Sequence, residues 1–153
     1  MPRSLRPGHS CRVTSSDPAA QGRRRADQFL MLLATDDAAA EGLLASVPEI
    51  RDLVFLGAGL TAVARAESRF LPPAQRAQAS ARQLRLGELR DAHRSDPDGL
   101  RTWLRQAGEE ILLIRAQQAV ADRVIADDQE WTAARAAAEA SGSAAASKPA
   151  TTT

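Results

Sequence analysis

The stretch that most constrains the fold is residues 98–140, where apolar side chains recur at the spacing of an α-helix. The turn Asp96-Pro97-Asp98-Gly99 precedes it and supplies carboxylates that can cap a helix start. At about 100° per residue, the main apolar positions fall in one broad stripe. We therefore predict a single long helix over residues 98–140. Its stripe consists of Leu100, Trp103, Leu104, Ala107, Ile111, Ile114, Ala121 and Ile125.

A second apolar row lies on the same helix, roughly a third of a turn or more away from the first stripe. A helix with two apolar rows usually contacts two neighbours, within its own chain or across an interface between chains. We expect a small bundle to leave part of this second row uncovered. The row then offers a contact surface for a protein partner or for a second copy of the chain. The predicted interface residues are Leu113, Val120, Val124 and Trp131.

The two ends of the chain lack the pattern of a folded segment. Residues 1–16 combine prolines, a glycine and many polar residues without an apolar period, which predicts a disordered basic tail. Residues 141–153 hold no apolar side chain larger than alanine and cannot offset the entropy lost on ordering. We therefore predict a low-complexity disordered tail there. A single helical domain over residues 17–140 remains between the tails.

Prolines and capping carboxylates mark the starts of further helices in this domain. Asp17 and Asp36 are candidate N-caps, and Pro48 lies near the first helical position of the most apolar segment. Composition predicts that the fourth helix is the most exposed, because its apolar residues are mostly alanines. The chain is thus predicted to be all-α, a bundle of four or five helices with a long C-terminal helix and disordered tails. The first shorter helix is predicted to start after Asp17, with its firm part at residues 24–34, and the others are predicted over residues 36–45, 49–70 and 75–93.

The net charge of +1 conceals an alternation of sign along the chain. Residues 1–25 carry six arginines and one acid, and residues 65–105 carry nine arginines and five acids. Residues 26–64 carry six acids and one arginine, and residues 106–153 carry seven acids and four basic groups. Segments of alternating sign favour packing among segments, or self-association, at least as well as they favour DNA binding.

The run Gly57-Ala58-Gly59-Leu60-Thr61-Ala62 fits the glycine pattern of a dinucleotide site, and an apolar segment precedes it. The context does not fit, because the next segment is helical in composition instead of a second strand that ends in an acid. We therefore interpret the run as a small-residue face on a helix. Ala58, Ala62 and Ala66, four residues apart, would allow a neighbouring helix to approach closely.

The sequence offers no convincing catalytic or metal-binding arrangement. His9 and His93 lack partners at ligand spacing. Glu109 and Asp127 lie about 27 Å apart along one helix face, so they cannot act on one substrate atom. We interpret them as surface ion pairs with Arg105 and Arg123. We therefore predict a protein that is not an enzyme and needs no cofactor.

Compartment signals are few. Cys11 is the only cysteine, so an intramolecular disulfide is impossible, which fits a reducing compartment. The apolar run over residues 53–64 is flanked by charges and is shorter than the roughly 20 residues that span a bilayer. We expect a core segment there, a cytoplasmic protein and no membrane partner.

Arginine clusters support an alternative function. Guanidinium groups form two-pronged hydrogen bonds with phosphates, and arginine supplies almost all the basic charge of this chain. The primary prediction is a non-enzymatic helical protein that acts through association with a protein partner or with itself. The alternative is an arginine-rich nucleic-acid-binding regulator. Its possible contacts are Arg23, Arg24, Arg25, Arg82 and Arg85.

Overall fold

The computed structural model of the chain describes residues 17–145, with side-chain exposure described through Ser141. This part folds into five α-helices and contains no strand. The prediction of an all-α bundle with a long C-terminal helix is therefore confirmed. The helices are α1 (Pro18–Thr35), α2 (Asp37–Ala45), α3 (Ile50–Ser68), α4 (Pro73–Ala92) and α5 (Pro97–Ala145).

The predicted tails fall largely outside the described residues. Residues 1–16 and 146–153 are not described. Residues 141–145, which were assigned to the C-terminal tail, belong to α5 in the structure. The long helix thus continues five residues beyond its predicted end.

Local capping explains where the helices begin. The Asp17 carboxylate accepts a hydrogen bond from the Ala19 amide at 3.1 Å, and Asp36 accepts one from the Ala39 amide at 3.0 Å. Each bond satisfies an amide that the first helical turn leaves free. Prolines stand in the first turns of α1, α4 and α5, where no amide hydrogen is needed.

The core forms around α3, which packs between α1 and α5, as its apolar composition predicts. Helix α2 packs on α1, and α4 has α5 as its one main neighbour. The largest fully buried side chains come from α1, α2, α3 and α5, and one comes from the turn before α4. They are Phe29, Leu30, Leu44, Leu53, Leu56, Leu60, Leu71, Leu100, Leu104, Ile111 and Ile114.

Glycines allow the central helices to approach each other. A Cβ atom at Gly57 would overlap the Trp103 ring, and one at Gly59 would lie 2.9 Å from the Ala26 Cβ atom. The glycine run lies inside α3 and serves packing, as interpreted. The alanine part of that interpretation was wrong, because Ala58, Ala62 and Ala66 are exposed. Helix α5 packs on Gly57 and helix α1 packs on Gly59, which lie on nearly opposite sides of α3, and the alanine stripe faces outward.

The end of α3 departs from the predicted helix over residues 49–70. The helix stops at Ser68, and Phe70 is 80% exposed although its apolar character suggested burial. Leu71 is buried instead. The chain turns before Pro72-Pro73, and this turn directs Leu71 toward the core in place of Phe70.

Arg105 joins α5 to α2. Its guanidinium donates to Asp37 at 2.7 Å and to Glu109 at 3.1 Å, and it also contacts Glu41. The hydrogen bonds to Glu41 and Asp37 raise the pKa of Arg105 above its ordinary value, so the group stays charged. The predicted pair of Glu109 with Arg105 is confirmed.

Arg123 does not form the predicted ion pair with Asp127. Its guanidinium donates instead to the Ala119 carbonyl at 3.3 Å, one turn back along α5. Such a contact keeps the side chain along the helix surface and leaves the Asp127 carboxylate to solvent.

Candidate interaction surface and interhelical cavity

Helix α5 is longer than the bundle that it supports. Its last buried residue is Ile114, its last partly covered residue is Ala121, and every residue from 122 to 141 is exposed. Near the edge of the bundle, Arg115 pairs with Glu67 at 2.8 Å, where α3 is about to end. At a rise of 1.5 Å per residue, residues 122–141 extend about 30 Å past the last covered position. We call residues 119–141 the projecting segment.

The four predicted interface residues share one exposed face of α5. Leu113, at the bundle edge, is 43% exposed, and Val120, Val124 and Trp131 are 55–65% exposed. Their spacings of seven, four and seven residues place them within about 40° of one another around the helix axis. The Arg135 guanidinium lies over the Trp131 ring, 5.6 Å from its centroid. The structure therefore brings these residues into one apolar row, which residues 17–145 do not cover.

Ile125 belongs to the other predicted stripe, yet it is 55% exposed. The stripe is buried from Leu100 to Ile114, and its burial ends where the neighbouring helices end. The projecting segment consequently carries apolar side chains on two faces, and solvent reaches both.

The arginines proposed to bind nucleic acid are divided between two helices that are not main neighbours. Arg25 pairs with Asp52 at 3.3 Å, and Arg82 pairs with Glu110 at 2.6 Å. Arg23 lies 4.0 Å from Asp17. Within the described residues, Arg24 and Arg85 have no carboxylate at ion-pair distance. Three of the five arginines therefore already engage carboxylates in the chain.

A cavity of about 580 Å³ separates α4 from α3, and α5 forms its floor. It exists because α4 packs mainly on α5 and buries only Ala79. The prediction that the fourth helix is the most exposed and least firmly packed is confirmed by this burial. Leu60, Leu84 and Trp103 contribute apolar walls. Its polar lining residues are Thr61, Arg65, Ser80, Gln83, Glu88, Arg90, Asp91 and Glu110.

Glu110 is the one buried charged residue of the described chain. Its Oε2 atom accepts a hydrogen bond from Arg82 Nε at 2.6 Å, and the other two atoms of this ion pair, Glu110 Oε1 and Arg82 Nη2, are both buried without a hydrogen-bond partner. Its burial was not predicted, because acids on α5 were interpreted as surface groups. A signal was present, since Glu110 follows Trp103 and Ala107 by seven and three residues, on the buried side of the helix.

Metal-binding clusters and membrane-spanning helices are both absent from the described residues. Residues 17–145 contain no group of three or more histidine, cysteine, aspartate or glutamate side chains that could hold a metal ion. No helix in this part is both long and apolar enough to cross a membrane.

Comparison with known proteins gives no relative for this chain. No protein-family model, no curated protein and no solved structure matches it.

Proposed function

We propose that this protein is a non-enzymatic association module that pairs with a second copy of itself through the projecting segment. The observation that carries the proposal is the row of Leu113, Val120, Val124 and Trp131 on a helix that continues past its own bundle. Contiguous exposed apolar surface on one face is typical of protein interaction sites. The single cysteine fits a reducing compartment, and we place this activity in the cytoplasm.

The spacing of the row suits a pair of helices. Positions 113, 117, 120, 124, 127, 131 and 134 alternate in steps of four and three, which is the seam of a two-stranded coiled coil. Val120, Val124 and Trp131 occupy seam positions, and Ala134 continues the seam with a small side chain. Gln117 and Asp127 interrupt it. Polar residues at such positions select register and orientation at some loss of stability.

Charge favours an antiparallel arrangement of the two helices. In a parallel pair in register, Asp127 would face Asp127 of the second copy, and like charges at a seam repel. An antiparallel pair with Trp131 against Val120 of the second copy places Val124 of that copy, instead of Asp127, opposite each Asp127. That register also places Arg123 beside Glu130 of the second copy. Opposite charges beside the seam support this choice of orientation.

Light scattering on the purified chain tests the proposal. We expect a dimer of the 16.3 kDa chain that persists after nuclease treatment and at both low and high salt. Val124→Glu should give a monomer, because in this register the new carboxylate lies opposite Asp127 of the second copy, and two like charges at a seam repel. Ala126→Glu is the matched control. It adds the same charge to the exposed projecting segment, about 200° around the helix from Val124.

Two results would contradict self-pairing. One is a wild-type monomer under every condition, and the other is a dimer that Val124→Glu leaves intact. A monomer that co-purifies with nucleic acid and releases it at high salt would favour the arginine-rich regulator instead. Alanine substitution of Arg23, Arg24 and Arg25 should then weaken that binding.

A further inference from the structure

A groove lies on the flank of α4 that faces away from the α3–α4 cavity, and only α4 and α5 line it. Its volume is about 590 Å³. Arg82, Arg85 and Leu86 form part of its α4 side, and Leu113 lies on its α5 side. The two leucines make part of this wall apolar. The groove is open to solvent along the edge of the bundle.

The α4–α5 groove continues the apolar row of the projecting segment. Leu113 belongs both to the row and to the groove lining. Gln106, which also lines the groove, precedes Leu113 by seven residues, as Leu113 precedes Val120. Residues seven apart lie within about 20° of each other around a helix. A helix that packs along the row therefore runs into the groove at the edge of the bundle.

The proposed pairing needs more contact than the projecting segments alone provide. In the antiparallel register, with Trp131 against Val120 of the second copy, residues 119–132 of the two chains overlap beyond the buried part of either bundle. This overlap is about 20 Å long, and each helix presents only one face to the other. A standard interface buries about 800 Å² per partner and uses roughly 20–30 residues. Further contacts must therefore come from outside this overlap.

The same register places the end of the second copy's helix on the groove. Ala138 lies seven residues after Trp131, and Leu113 lies seven before Val120, so Ala138 of the second copy faces Leu113. We call residues 133–141 the tip. Six of its nine residues are alanines, and all nine are exposed. Their small side chains allow the tip to approach the groove closely.

Charge also matches between the tip and the groove. Arg85 is exposed and has no carboxylate at ion-pair distance within residues 17–145. Glu139 lies within about 20° of Glu110 around α5, on the side where Glu110 meets Arg82 of α4. In a two-fold symmetric pair, this side of the tip faces α4 of the other copy. Glu139 of the second copy then lies about 8 Å from Arg85 along the helix axis, a gap that two long side chains can close.

We infer that the α4–α5 groove is the docking site for the tip of the second copy's α5, so that each bundle holds the end of its partner's helix. This inference rests on the proposed self-pairing and adds a surface of the bundle to it. Because the pair is symmetric, the contact occurs twice in each dimer.

The dissociation constant of the dimer, measured by sedimentation equilibrium on the full chain, tests the inference. Ala138→Arg should raise this constant about 100-fold or more, because a long cationic side chain then stands against Leu113 and near Arg85 of the second copy. Ala140→Arg is the matched control. It adds the same side chain to the tip about 200° around the helix, and it should change the constant by less than about 2-fold. Both alanines are exposed, so neither substitution should disturb the fold.

Charge reversal tests which surface holds the tip. Arg85→Glu should raise the dissociation constant about 5-fold or more at low salt, because Glu139 of the second copy is then repelled at both contacts. Glu139→Arg in the same chain should restore most of the lost affinity, since opposite charges face each other again. Arg24→Glu is the control, because Arg24 is also exposed and without a carboxylate at ion-pair distance in the described residues, but it lies on α1.

Weakening by Ala138→Arg, together with rescue of Arg85→Glu by Glu139→Arg, would establish the docking site. A dimer that Val124→Glu disrupts, but that Ala138→Arg and Arg85→Glu leave at wild-type affinity, would overturn the docking and leave the proposed pairing intact. An effect of Ala138→Arg without any effect of Arg85→Glu would place the tip on another surface and equally overturn it. So would an Ala140→Arg effect as large as that of Ala138→Arg. A wild-type monomer would refute the pairing and the docking together.

Discussion

Alanine substitutions at Gly22 and at Gly42 should change the free energy of unfolding in opposite directions. At Gly22, a new Cβ atom would lie 2.7 Å from the Phe55 carbonyl carbon and closer still to its oxygen. That backbone belongs to α3 and cannot rotate away, so α1 and α3 must separate. Overpacking costs about 1–3 kcal/mol, and a contact this close to fixed backbone belongs in the upper half of that range, about 2–3 kcal/mol. Alanine's helix propensity offsets about 1 kcal/mol of this cost. We expect Gly22→Ala to lower the free energy of unfolding by about 1–2 kcal/mol.

The control is Gly42→Ala, in a helical position where a Cβ atom meets nothing within 4 Å. Only the propensity gain applies there, so we expect an increase of about 0.5–1 kcal/mol. Urea unfolding followed by circular dichroism, at one protein concentration, should separate the two variants by about 1–2 M in midpoint. Equal midpoints would refute the reasoning, because they would mean that α1 and α3 do not approach as closely as the structure shows.

Three further predictions test the core and the proposed pairing. Leu56→Ala removes a fully buried side chain and should lower the free energy of unfolding by about 2–5 kcal/mol in the same urea assay. Val54→Ala, at a half-exposed position on the same helix, should lower it by about 1 kcal/mol or less. Removal of residues 122–153 should give a monomer, and its melting temperature should lie within about 2 °C of that of the monomeric Val124→Glu variant, because residues 122–141 are all exposed. A larger fall in melting temperature would show that this segment stabilises the bundle. In a Cys11→Ser background, chains with Val120→Cys are mixed with chains with Trp131→Cys and oxidised, and antiparallel pairing should link the two kinds of chain by a disulfide. A disulfide between two Trp131→Cys chains, without any Val120→Cys chain, would instead indicate a parallel pair.

The helix starts were predictable because local capping determines them. The buried faces of the helices were harder to predict because they depend on tertiary packing. Asp17, Asp36 and the prolines act within a few residues, so capping patterns identified the starts before any neighbour was known. Phe70 was misassigned because its place depends on where the chain turns before Pro72-Pro73. The face that α3 buries depends on where α1 and α5 lie, which its own periodicity does not specify.

The candidate sites divide in the same way. The apolar row was visible because spacing along α5 determines which side chains share a face. Its exposure depends on how far α3 and α4 extend along α5, and the exposure of Ile125 in the main stripe has the same cause. Glu110 and the cavity arise from the separation of α4 and α3. A carboxylate at a buried helical position is the only local sign of that separation.

The projecting segment needs a reason to remain helical without neighbours, and its composition supplies one. An isolated helix of this length is marginal in water, because nucleation is costly. Here the bundle already provides the nucleus, so each further residue needs only favourable propagation. Nine of residues 119–141 are alanine, the best helix former, and Arg135 pairs with Glu139 one turn away at 3.1 Å. The segment is helical without a partner in the structure, so the proposed pairing with a second copy would lose little conformational entropy. A modest apolar row can then support specific association, which a flexible segment of the same composition could not achieve.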